Sequence, residues 1–121
     1  MEDRIRFIAH QGKRILLVDQ SHCSPAELLE ISRMVPVHVM SEPRGSVLLL
    51  ADFTGAEFDR EVIANLSENT VFNRHHLKKS AWVGTENLPR AFYEHIKRVS
   101  QRDLPTFKTR EEAMGWLVKD E

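Results

Sequence analysis

Read for its apolar and polar positions, the chain alternates between short runs that suit strands and longer amphipathic stretches that suit helices. The most uniform run is Ser46–Phe53, in which Val47, Leu48, Leu49, Leu50 and Ala51 follow one another without alternation. A strand of that kind has both faces covered, as in a parallel sheet between helices. Gly45 ahead of it and Thr54–Gly55 behind it supply turn chemistry, which favours a short buried strand over a core helix. Arg14–Asp19 is a second continuous apolar run and a second central strand. Arg4–His10 alternates instead, with Ile5, Phe7 and Ala9 on one face, and predicts a half-buried edge strand. Gln11–Gly12–Lys13 turns it back antiparallel. Lys79–Gly84 predicts a fourth strand, and Leu104–Lys108, with its proline, a short edge strand.

Between these runs lie four helical patterns with local start signals. Ser24 is an N-cap, Pro25 takes the first position and Glu27 the first turn. Leu28, Leu29, Ile31, Met34 and Val35 form the buried stripe of that helix, and Pro36 kinks it or starts a second helix through Met40. Glu42–Gly45 is the turn into the central strand. Asp59 caps the next helix, with Phe58 and Ile63 at the spacing of a hydrophobic staple and Val62, Ile63 and Leu66 inward; Asn73 is a candidate cap at its far end. Leu88, Phe92, Ile96 and Val99 make the stripe of a third helix, with Pro89 in its first turn. Thr109–Glu112 is a capping box for a last helix that buries Ala113, Trp116 and Leu117. The resulting order, ββαβαβαβα, predicts an α/β fold with a mixed, mainly parallel five-stranded sheet and helices packed on it.

Composition narrows the setting. With 121 residues the chain has room for one domain, spanning residues 1–121, and one core. Lys and Arg number 17 against 18 Asp and Glu, so the net charge of −1 favours neither nucleic acid nor an anionic membrane. The single cysteine excludes an internal disulfide and a multi-cysteine metal site, and fits a reducing compartment. No apolar run approaches the about 18 residues that span a bilayer, and MEDRIRF lacks the apolar core of a signal peptide. A cytoplasmic protein is expected.

Three stretches carry a resemblance: LLLADFTG in the central strand, KKSAWVGTENLPRAF, and LPTFKTREEAMGWL. Together with the βα alternation they resemble small bacterial proteins of the STAS and SpoIIAA-like fold, over about residues 4–118. The resemblance implies a non-catalytic module, as in anti-sigma-factor antagonists and the cytoplasmic domains of anion transporters, and is nearest to an uncharacterised branch with no agreed activity. The antagonists carry Asp-Ser-Ser-Gly at the start of the helix after the central strand, with a phosphorylated serine. Here that stretch reads Phe58–Asp59–Arg60–Glu61, so no phosphorylation switch is expected at that helix start. Thr54 is the nearest hydroxyl.

Candidate chemistry gathers at predicted strand ends, where α/β sheets present ligand-facing loops. Asp19–His22, Asp52–Gly55 and Gly84–Asn87 converge on one edge if the three strands are parallel. Asp19, His22, Asp52, Thr54, Thr85 and Asn87 are the candidate ligand-binding residues, with Asp52 and Thr54 nearest the centre. Turn and capping preferences alone also account for these residue types. A hydrolase built on Asp19, Ser21 and His22 is disfavoured, because all three share one loop and no Gly-x-Ser-x-Gly elbow follows a strand. His75 and His76 are adjacent and point apart, and no metal-ligand spacing occurs, so neither metal nor cofactor is expected. Arg74, Lys78 and Lys79 with the two histidines form a local basic cluster suited to a phosphate or an acidic partner, without the aromatic interleaving of an RNA-binding surface. Trp82 and Trp116 are read as core, and Cys23 as an inert thiol.

The expected role is a non-enzymatic interaction or regulatory module that forms a homodimer or binds a protein partner. A module that binds a small apolar or anionic ligand at the strand carboxyl ends is the alternative, and an enzyme of unknown reaction the third reading. Val37, Val39 and Met40 are the candidate interface residues. Val37 and Met40 share one helical face and Val39 lies around from it, so one of the two faces is expected at the surface.

Overall fold

β3 (Val47–Asp52) lies in the middle of a five-stranded sheet, and every one of its residues is buried. The computed structural model describes residues 2–119. After a 3-10 turn at Glu2–Arg4, the order is β1 (Ile5–His10), β2 (Lys13–Asp19), α1 (Pro25–Met40), β3, α2 (Arg60–Asn73), β4 (Leu77–Val83), α3 (Arg90–Ser100), β5 (Thr106–Phe107) and α4 (Arg110–Leu117). The strands line up in sequence order, β1 antiparallel to β2 and all other neighbours parallel. Parallel crossovers share one hand, so stepping β2 to β5 in one direction puts α1, α2 and α3 on the same face. α4 follows the last strand and packs on the other.

The core divides accordingly. Val47, Leu49 and Ala51 of β3 point into the cluster under α1, α2 and α3, with Leu28, Ile31, Ile63 and Ile96. Leu48 and Leu50 point into the cluster under α4, with Ala113 and Leu117. That two-sided burial is why the strand shows no alternation.

The local start signals appear as structure. Ser24 and Glu27 form a reciprocal capping box, and the Asp59 carboxylate accepts from the Val62 N–H. Thr109 accepts from the Glu112 N–H and donates its hydroxyl to the Glu112 carboxylate, which replaces the expected return bond to the Thr109 backbone.

Several expectations are corrected. α1 is one helix from Pro25 to Met40 with Pro36 inside it, so no second helix starts there. Proline has no N–H, so the carbonyl of Ser32, four residues earlier, loses its helical donor. The Asn69 side-chain amide on α2 supplies one in its place, which keeps the helix whole. Val39 is 0% exposed and belongs to the core rather than to an interface. α3 starts at Arg90 behind Pro89, so Leu88 is buried ahead of the helix, and the inward stripe is Tyr93, Ile96 and Ser100; Phe92 faces out. Ala9 is exposed, Trp116 is only half-buried, and Asn73 is the last residue of α2 with Arg74 in the cap position. β4 begins earlier than expected, at Leu77, and β5 is confined to two residues.

Candidate functional site

Because β2, β3 and β4 are parallel, their carboxyl ends converge as expected. Asp19 and Asp52 are register partners at the ends of β2 and β3. Each begins the same short turn. The Asp19 carboxylate accepts from the Ser21 N–H and hydroxyl, at 3.1 and 2.6 Å. The Asp52 carboxylate accepts from the Thr54 N–H and hydroxyl, at 2.9 and 2.6 Å. Backbone pairing continues beyond the strands, from Gln20 N–H to Asp52 O (2.8 Å), His22 N–H to Thr54 O (2.7 Å) and Phe53 N–H to Val83 O (2.8 Å).

Arg110, the first residue of α4, closes this pair from the other face of the sheet. Its Nε donates to Asp52 Oδ2 at 2.7 Å and its terminal nitrogen lies 3.1 Å from Asp19 Oδ1. Arg4 adds a longer contact of 3.8 Å to Asp19 and donates to the carbonyls of Asp19 and Ser21. Burial pushes the Asp19 carboxyl up, but the Ser21 bonds and the charges of Arg110 and Arg4 outweigh it and hold it below its ordinary value. For Arg110 burial works against the charge, and the bond and charge of Asp52, followed by Asp19, more than restore it. Arg110 is not among the residues the sequence marks as candidates, although it carries a signal: a cation in the first turn of a helix opposes the macrodipole and implies a local acidic partner.

The remaining candidates serve the loops. The Ser21 hydroxyl donates to Asp19, while the His22 ring lies over Gly55, where a Cβ would come within 2.4 Å of His22 Nδ1; the imagined Asp19–Ser21–His22 triad is therefore not assembled. His22 itself has a left-handed backbone, φ 57°. The Asn87 side chain donates to the Ala56 carbonyl at 3.0 Å, stapling the loop after β4 to the loop after β3. Thr54 and Thr85 line an open depression of about 530 Å³ with Glu86, Phe107 and Lys108. The structure thus brings Asp19, Asp52 and Thr54 together around Arg110, and leaves both carboxylates ion-paired with it. Among the described residues no three His, Cys, Asp or Glu side chains are grouped to hold a metal ion, and no helix is long and apolar enough to cross a membrane.

Two further features lie away from this edge. A slot of about 50 Å³ between α1, α2 and the sheet is lined by Gln20, Ser32, Asn69, Thr70, Asn73 and Ser80 among apolar neighbours. The buried Asn73 Oδ1 has no protein partner there; the space suits about one or two waters. On the outer surface, Val37 is 72%, Phe72 58% and Met40 48% exposed.

Comparison with known proteins places this architecture. No protein-family model and no curated protein matches the sequence. Among solved structures, the chain is similar to an uncharacterised protein of the DUF3478 family, with a SpoIIAA-like fold, from Shewanella loihica PV-4. The likeness covers 93% of this chain and 91% of that one, with a TM-score of 0.67 and 13% sequence identity. The chain therefore has a SpoIIAA-like α/β fold.

Proposed function

We propose that this domain is a non-catalytic interaction module that pairs with a second copy of itself through the outer face of α1 and α2. The observation that carries the reading is the exposure of Val37, Met40 and Phe72. Both helices return from strand carboxyl ends to strand amino ends, so these residues sit toward the same end of the molecule. Val37 and Met40 share the face of α1 turned from the core. Exposed apolar patches mark interaction surfaces, and the two-fold dimer is the commonest soluble assembly. The chemistry at the strand ends is compatible with this reading: the Ser21 and Thr54 hydroxyls donate to carboxylates, and both carboxylates pair with Arg110. Analytical ultracentrifugation is the test. The wild-type chain should sediment as a dimer at micromolar concentration, and Val37→Asp as a folded monomer with a native circular-dichroism spectrum. A wild-type monomer across that range overturns the proposal.

A further inference from the structure

The opposite end of the sheet holds a feature that neither the fold nor the dimer requires. The amino-terminal ends of β2, β3 and β4 surround a depression of about 400 Å³, bounded by the Gly12 turn, the Glu42–Ser46 turn and the start of β4. That volume lies within the usual range for small-molecule sites, about 300–1,000 Å³. Among the described residues its charged lining is lopsided: Lys13, Arg14 and Lys78 stand with one carboxylate, Glu42.

The three cations are placed by different devices. Arg14 is fixed in orientation, its guanidinium 3.9 Å from the centre of the Phe7 ring and 3.1 Å from Glu42 Oε1. Lys13 is anchored by the Val118 carbonyl at 3.0 Å. Lys78 stands in an irregularity of the sheet. Val47 pairs with Leu77 and Leu48 with Lys79, so Lys78 is an extra residue in β4 with no register partner on β3. Bulges re-aim side chains and are found beside functional sites. This one leaves Lys78 exposed, with no hydrogen bond or ion pair to its ammonium among the described residues. A conformationally held guanidinium, an anchored lysine and an unengaged lysine around one hollow form a receptor for an oxyanion, which accepts several charge-assisted hydrogen bonds at once.

We propose that this depression binds a phosphate group, either as free phosphate or on a small phosphorylated molecule, with Lys78 and Arg14 as its principal ligands and Lys13 in support. The site lies at the strand amino ends, away from the Asp19–Arg110–Asp52 edge, and stands independently of the dimer. Glu42 sets its strength by competing for Arg14.

The test is a titration of the isotope-labelled full chain with inorganic phosphate, pyrophosphate and glucose 6-phosphate in low-salt chloride buffer, followed through amide resonances. Saturable shifts are expected at Gly12, Arg14, Ser46 and Lys78, with affinity falling as chloride is raised. Lys78→Gln should weaken binding about tenfold, the loss of one charge-assisted hydrogen bond. Its side chain is exposed, so the variant should keep the wild-type amide spectrum elsewhere. Glu42→Gln should tighten binding. Tighter binding of the sugar phosphate than of phosphate and pyrophosphate identifies the source as a phosphorylated metabolite, and the reverse order as a free phosphate species. The proposal is overturned if none of the three saturates at millimolar concentration, if the shifts fall at the Asp19–Asp52 edge, or if Lys78→Gln binds like wild type. Saturation by polyaspartate while all three phosphates remain inert also overturns it, in favour of an acidic protein partner.

Discussion

Asn69 on α2 completes the hydrogen bonding of Ser32 on α1, donating to its carbonyl oxygen at 2.5 Å and lying 2.6 Å from its hydroxyl. The carbonyl needs that donor because Pro36 offers none. One side chain thus joins two helices and repairs a helix interior at the same time.

Removing the repair should expose its worth. Asn69→Ala leaves the Ser32 carbonyl unpaired in the interior and should cost about 1–3 kcal/mol. In that background Pro36→Ala restores a backbone donor four residues on, so the second change should return about 1 kcal/mol. Urea denaturation of the four proteins in the cycle measures the coupling. Strict additivity would show that Ser32 finds its partner elsewhere.

Arg110 is expected to hold α4 against acid. Arg110→Met leaves Asp19 and Asp52 side by side without their shared cation. With the Arg110 side chain 33% exposed and that of Asp52 7% exposed, solvent screening tempers the loss, to about 1–3 kcal/mol. The sign of the pH dependence follows from Asp19, whose folded pKa is lowered. Its contribution is fully present above the ordinary carboxylate value, about 3.9, and is lost as pH falls through the lower folded value. In Arg110→Met the folded value rises, so the acid-dependent part of the stability should shrink. Denaturation midpoints between pH 2.5 and 7 should converge for the two proteins at the acid end; a constant gap would place the Arg110 contribution in packing instead.

What was legible in the sequence was local or periodic. The β3 run shows its two-sided burial without reference to any other residue, and Ser24, Asp59 and Thr109 cap helices that begin within one turn of them. The Asp19–Arg110 and Ser32–Asn69 contacts join residues far apart in the chain, and no spacing rule reaches them. Phe92 shows a subtler limit. Its i, i+4 relation to Leu88 and Ile96 is sound helical arithmetic, but Pro89 holds the backbone extended at φ −57°, ψ 134°, so Leu88 precedes the helix and Tyr93 takes the inward place. The Tyr93 hydroxyl then reaches the Leu104 carbonyl, a bond made by tertiary position alone. At the strand ends, Asp19, Asp52 and Thr54 were recognisable as a group, while the cation shared by the two carboxylates was not.

Two glycines with nearly the same backbone should respond differently to alanine. Gly84 and Gly45 have φ of 68° and 69°. A Cβ at Gly84 would lie 2.3 Å from Thr54 Oγ1 and 2.6 Å from its backbone nitrogen, whereas one at Gly45 meets nothing within 4 Å. Gly45→Ala should cost about 1 kcal/mol, the backbone strain alone. Gly84→Ala adds a clash with backbone that has nowhere to move, and should cost about 2–4 kcal/mol. Thermal denaturation of both variants checks the order, and equal losses would mean that the loop after β3 shifts freely.

Val37 and Val39, two residues apart on α1, should separate surface from core on one helix. Val39 is 0% exposed and packs in the cluster beneath α1, while Val37 is 72% exposed. Val39→Ala removes buried methyl groups and should cost about 1–3 kcal/mol. Val39→Glu places a carboxylate in an apolar interior without a partner, and should leave little folded protein at neutral pH. Val37→Ala and Val37→Glu, facing water in the monomer, should each stay within about 0.5 kcal/mol under denaturation at dilute concentration. At high concentration the two Val37 variants should part from wild type if the dimer forms, since association stabilises only the protein that can pair. The Val39 variants should show their deficit at every concentration. Circular dichroism melts of all four, taken across a hundredfold range of protein concentration, decide it: a concentration-dependent Val39→Ala deficit would move Val39 to the interface, and a concentration-independent one keeps it in the core.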